Sequence, residues 1–329
     1  MDWQSILSQA LQQGLGPLAA VYCLAAIGLN VHFGYTGLLN FGQAGFMAVG
    51  GYTMASVVAT WGLSFWLGIA LGLLLTVLLA LLLGVPTLRL RADYLAIVTI
   101  AAAEIIRQTV GSVSLLKWFG GQDGLQAFST DFRSLNPFDG PLDLGIVTWR
   151  ANDAWVLVVG WVLVAVSCLI VWLLMRSPWG RVLKSIREDE EAVRSLGKNV
   201  YAYKMQSLVI GGLFGALAGF IIALNSAAIN PSFFATDITF FAYTVLLVGG
   251  AARVLGPVAG AIIFWFLLSF LDLFFRDAAA TDIIPQSIMT QNQASLIRFM
   301  FMGIALMLLM IFRPQGIFGD RKELALDAR

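Results

Sequence analysis

Long runs of apolar residues, free of charge over lengths that match a lipid bilayer, constrain this chain more than any other feature. Crossing the hydrocarbon core takes about 20 apolar residues at a rise of about 1.5 Å each. Runs at 15–33, 62–84, 154–175, 206–224 and 298–312 meet or approach that length, and less pure ones lie at 36–60, 93–111, 238–252 and 257–274. With 59% hydrophobic and 12% charged residues, a chain of 329 residues has too little charge to cover a soluble domain. The expected fold is an all-α, polytopic membrane protein with about 8–10 transmembrane or re-entrant helices. The 36–60 stretch is rich in Gly and carries Asn40 and Gln43. It fits either a span or a re-entrant segment of broken backbone, which is tolerated only where protein or water covers it.

The placement of charge then orients the runs. No Lys or Arg precedes Arg89, so the first apolar run has no basic leader and reads as a retained span. Residues 176–204 hold seven basic side chains (Arg176, Arg181, Lys184, Arg187, Arg194, Lys198 and Lys204) against the four acids Glu188 to Glu191. Arg89 and Arg91, and the terminal Arg313, Arg321, Lys322 and Arg329, add to this excess. Residues 112–153 are the reverse, with Asp123, Asp131, Asp139, Asp143 and Asp153 against Lys117, Arg133 and Arg150. Basic loops stay cytoplasmic. That rule puts 85–92, 176–204, the Arg253 turn and the C-terminus inside, and 112–153, 225–237 and 275–296 outside. If 36–60 spans, the N-terminus is outside; if it is re-entrant, the N-terminus is inside. A net charge of +1 offers no basic face for nucleic acid. Cys23 and Cys168 both fall within apolar runs, where a free thiol behaves as a small hydrophobe.

Between Gly180 and Asn199, GRVLKSIREDEEAVRSLGKN is amphipathic. Val182, Ile186, Val193 and Leu196 recur at helical spacing opposite a densely charged side, which predicts one helix over 181–196. Pro178 and Gly180 separate it from the preceding span, and Gly197 is placed to end it in a left-handed conformation. So short a helix is marginal alone in water and needs a surface to pack on. Two readings stand: a lever seated in a groove of a partner protein, or a helix lying on anionic lipid.

Two further patterns carry mechanism. Gly211, Gly215 and Gly219 fall four apart, as do Gly68 and Gly72, and Gly249 with Gly250 marks a helix end. Small residues at that spacing let membrane helices approach closely, within one subunit or between two. Glu104 and Arg107 lie three apart in the apolar stretch 93–111, on one helical face. Charges within a membrane cost about 2.5–3.5 kcal/mol each. Glu104 is about 16 Å from Asp93 by helical rise, near mid-membrane, and Arg107 is nearer the outer side and could snorkel. The pair reads either as a mutually neutralising lock between helices or as a functional element.

Other chemistries lack their residues. His32 is the single histidine, so neither HExxH nor a His-built metal site exists; a general-base role is open to it, and a capping or packing role at a span end is the simpler reading. No catalytic residues are assigned, because no nucleophile–base set is evident. No GxxxxGK[ST] occurs, so any ATP would be handled by another polypeptide.

Five ordered blocks resemble the branched-chain amino-acid ABC permeases, the LivM type of the LivH/LivM family. They are LNVHFGYTGLLNFGQAGFMAVGGYTMA (Leu29 to Ala55), LRLRADYLAIVTIAAAEIIR (Leu88 to Arg107), GRVLKSIREDEEAVRSLGKNVYAYK (Gly180 to Lys204), GGAARVLGPVAGA (Gly249 to Ala261) and FRPQGIFG (Phe312 to Gly319). The resemblance implies one permease domain over 1–329, with an external loop at 112–153, a cytoplasmic coupling loop at 176–205 and a cytoplasmic tail at 314–329. It implies a bacterial inner-membrane importer of branched-chain or other small neutral amino acids. The core would pair this chain with a LivH-type permease; two cytoplasmic ATPases that hold ATP and Mg²⁺ and an external binding protein complete it.

In that frame Arg181, Lys184, Arg187, Glu188, Asp189, Glu190, Glu191, Arg194 and Gly197 form the coupling element. Tyr35, Thr36, Asn40, Gln43 and Tyr94 are expected along the path, with Glu104 and Arg107 as gate or lock. Urea permeases of the same family look similar. An ion-coupled carrier is the reading from a different class, and lacks a relay of buried acids and histidines. Phe119 to Gly124 reads Phe-Gly-Gly-Gln-Asp-Gly where the family commonly has Thr-Gly-Gly, which bears on docking of the binding protein and on the ligand.

Overall fold

The apolar runs become helices, and the polar residues hidden inside them decide how the helices meet. The computed structural model describes residues 3–89, 92–143, 145, 147–280, 291–313 and 315–319. Its helices are α1 (Trp3–Gly14), α2 (Pro17–Leu29, continued by a π-helical stretch Asn30–Tyr35), α3 (Gln43–Ala59), α4 (Phe65–Thr87), α5 (Ala92–Val110), α6 (Leu116–Phe119), α7 (Thr130–Ser134), α8 (Ala151–Arg176), α9 (Pro178–Glu188), α10 (Glu190–Ser195), α11 (Val200–Ser226), α12 (Thr236–Gly249), α13 (Gly256–Ala280) and α14 (Gln291–Phe312). Two antiparallel ribbons complete the fold: β1 (Leu125–Gln126) pairs with β4 (Ala228–Ile229), and β2 (Leu142–Asp143) with β3 (Thr148–Trp149).

Each expected apolar run holds a helix. Among the described residues, five helices are long and apolar enough to cross a membrane: Pro17–Tyr35, Phe65–Thr87, Ala151–Arg176, Val200–Ser226 and Gly256–Ala280. A sixth arises if Tyr94–Val110 and Val113–Phe119, bent by 59°, are one span. The helix α1 was not among the expected runs. It buries Ile6, Ala10 and Gly14, one residue per turn, and packs along α13, where Trp3 meets Phe274 at 5.9 Å between ring centres.

The helices form two shells. α2 and α11 lie inside and are buried over most of their length, whereas α4 and α8 turn leucines such as Leu82 (71% exposed) and Leu173 outward. This is the arrangement that lipid favours, since tails solvate leucine as well as a protein core does. The glycine rows serve packing within the chain. Gly211 lies against His32, Gly215 against Gln43 and Phe46, and Gly219 against the Met47 backbone, while Gly68 meets Met54 and Gly72 meets Phe220. Of the two alternatives for these rows, contact within one subunit is the one realised.

The 36–60 stretch combines features of both expectations. Tyr35 lies beneath α9, Gln43 stands level with Ala25 and Gly211, and Gly51 meets Gly219. Trp61, just past the helix, meets Trp118. The segment therefore crosses the bundle, entering through non-helical residues 37–42 and continuing as α3. Gly37 starts the entry at φ +73°, a conformation that L side chains rarely adopt.

One end of the bundle gathers the basic loops. Arg89 lies over Tyr201, Arg187 reaches Gly34, the Arg253 carbonyl accepts from Asn30, and Ile317 N donates to the Val248 carbonyl. The described residues of 112–149 lie at the other end, where β1 joins β4 beyond α11. Arg91, the side chain of Asp93, and Arg321, Lys322 and Arg329 fall outside the described residues, as does most of the 314–329 tail.

Candidate functional site

The charged segment between α8 and α11 is two helices and not the single one its periodicity predicts. Asp189 leaves the helical conformation (φ −153°, ψ 101°), and its carboxylate accepts from Ala192 N at 2.9 Å, capping α10. Glu190 and Glu191 follow in the first turn, where acids complement the helix dipole. Under the pair, Leu183, Ile186, Val193 and Val200 form a small apolar core with Met175, Trp179, Val182 and Tyr203. Leu196 does not join it and is 79% exposed. Gly197 turns the chain at φ +75°, as expected.

Arg181, Lys184, Arg187, Glu188, Asp189, Glu191 and Arg194 are all exposed, and Glu190 half-exposed. Glu190 pairs with Arg194 at 2.8 Å and with Lys204 of α11. The other side of α9 sits on the end of α2. Arg187 Nη1 donates to the Gly34 carbonyl at 2.5 Å, and Lys184 Nζ lies 5.8 Å from the centre of the Tyr35 ring.

Directly behind that seat is a dense polar network. Its physical cause is the broken span, whose backbone groups have no helical partners and lie where water is scarce. Asn40 Nδ2 donates to His32 Nδ1 (3.1 Å) and to Gln43 Oε1 (3.2 Å), while Asn40 Oδ1 accepts from Gly42 N (2.9 Å). With Nδ1 accepting, the network assigns the His32 proton to Nε2, which donates to the Leu208 carbonyl at 3.1 Å. Gln43 Nε2 donates to the carbonyls of Gly211 (3.1 Å) and Ala25 (3.4 Å). Thr36 Oγ1 donates to the Val31 carbonyl (2.8 Å) and lies 2.7 Å from Ser207 Oγ. Tyr243 Oη donates to the Asn40 carbonyl, and Thr239 Oγ1 accepts from Ala44 N, both at 2.9 Å. Asn30 clamps the α12–α13 turn through Arg253 O and Ala252 N, each at 2.8 Å.

Tyr35, Thr36, Asn40 and Gln43 are therefore buried groups that hold the break closed, and none of them lines the cavity of about 480 Å³ between α3, α4 and α5. His32 is fully buried, with both ring nitrogens bonded within the chain.

Tyr94, Glu104 and Arg107 stand apart, on α5. The guanidinium of Arg107 grips Glu104 with two bonds, Nε to Oε2 at 2.8 Å and Nη2 to Oε1 at 2.6 Å, and Gln108 Nε2 donates to Glu104 Oε1 at 2.8 Å. The Glu104 side chain is 40% exposed and that of Arg107 25%. No second helix of this chain supplies a partner to either charge among the described residues. The pair is intrahelical and does not lock helices together.

A third charged cluster escaped the sequence reading. Asp272 of α13 takes Arg298 of α14 at 3.1 Å and Arg276 one turn on at 3.4 Å, which ties α13 to α14. Arg298 begins an apolar run 26 positions beyond Asp272 in sequence, so only the i, i+4 spacing of Asp272 and Arg276 gives a local signal. Among the described residues no group of three or more His, Cys, Asp or Glu could hold a metal ion.

The family described as branched-chain amino acid transport system / permease component matches residues 17–310. The chain is 30% identical over 315 residues to the high-affinity branched-chain amino acid transport system permease protein LivM of Salmonella typhimurium, covering 92% of this chain and 69% of the relative. It is 24% identical over 338 residues to a probable branched-chain amino acid transport permease protein LivM of Methanocaldococcus jannaschii, covering 92% and 91%. Over 203 residues it is 27% identical to the nucleoside ABC transporter permease protein NupC of Lactococcus lactis, covering 60% and 61%. No solved structure matches it.

Proposed function

The chain belongs to the family of branched-chain amino acid transport permease components, and from that premise we propose that it imports branched-chain or other small neutral amino acids by alternating access driven by partner ATPases. The single observation that carries the reading is the seat of α9 on the break in the second span. A charged, exposed pair of helices outside the bundle is bonded through Arg187 to Gly34, two residues beyond His32 of the buried network.

ATP and Mg²⁺ are held by two ATPase subunits that meet the exposed side of α9 and α10 at Arg181, Lys184, Glu188, Asp189, Glu191 and Arg194. Closure of the ATPases pushes α9, and Arg187 and Lys184 carry the displacement to Gly34 and Tyr35. The π-helical stretch and residues 37–42 lack the regular ladder that makes α-helices stiff, so they yield first. Thr36, Asn40 and Gln43 exchange partners as α3 shifts against α11, and the polar groups they release become transient contacts for a zwitterion. Tyr94, Glu104 and Arg107 border the same path on α5. Tight recognition is left to an external binding protein docking at the 112–153 end.

The protein resides in the bacterial cytoplasmic membrane with α9, α10 and the C-terminus inside, beside a LivH-type permease. Deleting the chain and measuring uptake of radiolabelled leucine, isoleucine, valine and urea tests the substrate class. Loss of the amino acids with urea unchanged is expected, and loss of urea alone overturns it. A stoichiometric P-loop ATPase in the purified complex is the second expectation. Ion-driven uptake by this chain alone in liposomes overturns the ATP-driven reading.

A further inference from the structure

α4 and α5 each pack on α3 more than on one another, and a cavity of about 480 Å³ lies between the three. That volume is in the range of about 300–1,000 Å³ typical of small-molecule sites. Its walls are apolar, with Ala48 and Val49 of α3, Leu71 and Leu75 of α4, and Ile106 and Val110 of α5. Among the described residues, no charged side chain lines it, and none of its lining comes from the inner helices α2 and α11. Its rim is exposed at Trp61 and Leu75, beside the outward-facing Leu74 and Leu78. The cavity thus opens sideways, on the aliphatic surface that suits lipid.

Two hydroxyls interrupt the apolar lining. Tyr52 and Ser56, one turn apart on α3, both line the cavity and are 2% and 4% exposed. Among the described residues, neither Tyr52 Oη nor Ser56 Oγ has a hydrogen-bond partner. A serine inside a helix can satisfy itself on the carbonyl four residues back, as Thr76 and Thr87 of α4 do at 2.8 and 2.5 Å. Ser56 forgoes that bond. Buried hydroxyls without partners are few in folded proteins and costly, so two on one cavity wall point to a group that comes from outside the chain. The mouth lies at the 112–149 end. Thr60 donates to the Trp118 carbonyl at 3.1 Å, and the Trp61 and Trp118 rings meet edge to face at 5.8 Å. Such tryptophans sit at the level of lipid headgroups. Lys117 Nζ is 5.7 Å from the centre of the Trp118 ring. By helical rise, Ser56 lies about 6 Å and Tyr52 about 12 Å deeper than Thr60.

We propose that this crevice is a binding site for one glycerophospholipid of the leaflet at the 112–149 end. An acyl chain lies against Leu71, Leu75 and Ile106, ester carbonyls accept from the Ser56 and Tyr52 hydroxyls, and the phosphate meets Lys117 at the mouth. Each part of the lipid answers one feature of the site: an apolar wall, two donors without acceptors, and a cation at headgroup level. A zwitterionic amino acid does not fit, because its carboxylate and ammonium would enter a lining without a charge to meet them. The site is therefore distinct from the proposed import route, and it stands whether or not that route is correct.

Photolabelling of the full chain in vesicles of phosphatidylglycerol, doped with the same lipid carrying a diazirine midway along one acyl chain, tests the site. Adducts mapped by peptide are expected to concentrate on 48–56, 71–75 and 106–110. Labelling spread evenly over the outward positions of α4 and α8, such as Leu82 and Leu173, overturns the proposal. So does protection of the crevice by excess leucine, which would assign it to the transported molecule. Tyr52→Phe and Ser56→Ala supply a second measurement, because removing a donor acts differently with and without lipid. In lipid-free detergent each variant is expected to keep or raise the thermal midpoint, since no bond within the chain is lost. Added phosphatidylglycerol is expected to raise the parent's midpoint by several degrees and each variant's by less, with Lys117→Gln requiring more lipid for the same rise. Equal rises in parent and variants overturn the proposal. A midpoint that falls in detergent alone as far as in lipid also overturns it, by showing that water serves the hydroxyls.

Discussion

Arg187 Nη1 donates to the carbonyl of Gly34 at 2.5 Å, and through that bond the charged helices outside the bundle hold the broken span within it. The bond is charge-assisted, and such bonds contribute about 1.5–3 kcal/mol. Gly34 is wedged in place, since a Cβ there would lie 2.1 Å from Asn30 Oδ1 and 2.7 Å from Ala252 N. On the proposed reading, a displacement of α9 reaches Asn30 and the α12–α13 turn through Gly34.

Replacing Arg187 with Ala removes the bond but leaves the apolar seat of Leu183 and Ile186. Uptake is expected to fall about ten-fold or more, the equivalent of about 1.4 kcal/mol, with substrate-stimulated ATP hydrolysis falling in parallel and membrane levels unchanged. The wider replacement of Arg187 with Glu188 to Glu191 by Ala should lower both further. Uptake unchanged in either variant would remove α9 from the coupling route.

Gly34→Ala attacks the other partner of the bond. The added methyl must displace Asn30 or the backbone of Ala252, and overpacking of this kind costs about 1–3 kcal/mol. The thermal midpoint of the purified chain is expected to drop by several degrees. Gly140→Ala, where nothing lies within 4 Å, should leave it in place. Equal midpoints for the two variants would show that the 30–42 break is looser than its contacts imply.

The nine apolar runs were legible because each is long and sparsely charged, but the features that make this site were legible only in part. α1 escaped because its inward face is one residue per turn, Ile6, Ala10 and Gly14, among glutamines and serines. The break at Asp189 hid inside a continuous hydrophobic period. Its local signal was an acid capping residue followed by two more acids, the start of a new helix. Gln43 depends on Gly211, 168 positions away, and His32 on Leu208, 176 away, and contacts across such distances leave no trace in spacing. Polar residues in an apolar run read as a path lining; in the structure Asn40 Oδ1 accepts from Gly42 N of the break and Gln43 bonds carbonyls of α2 and α11.

That difference is measurable. Asn40→Ala leaves His32 Nδ1, Gln43 Oε1 and Gly42 N without their partner. Each unsatisfied buried group costs about 1–3 kcal/mol, so a loss of several kcal/mol of stability is expected, seen as poor recovery from detergent. A variant that extracts and melts like the parent, yet fails to transport, would instead place Asn40 on an open path.

Glu104 and Arg107 predict a non-additive series. Removing one partner leaves an uncompensated charge on the apolar helix α5, whereas removing both leaves none. Glu104→Gln and Arg107→Gln are each expected to lower membrane level and uptake more than the double variant lowers the membrane level. If the double variant is also inactive while fully inserted, the charges serve transport beyond their mutual neutralisation. Additive losses would mean that the two groups act independently, contrary to their double hydrogen bond.

Ile186 and Leu196 separate seating from docking on the same charged segment. Ile186 is 3% exposed in the core under α9, and Leu196 is 79% exposed past the end of α10. Ile186→Ala opens a cavity and is expected to cost about 2–5 kcal/mol, lowering the thermal midpoint of the isolated chain. Leu196→Ala removes a side chain that touches little in this chain, so the midpoint should hold. A large exposed apolar group beside charged residues is the composition of a protein contact, so retention of the ATPase on purification should fall instead. If Leu196→Ala keeps the ATPase bound at parent stoichiometry, the docking surface lies on the charged face of α9 alone, and Arg181, Lys184 and Glu188 become the residues to test.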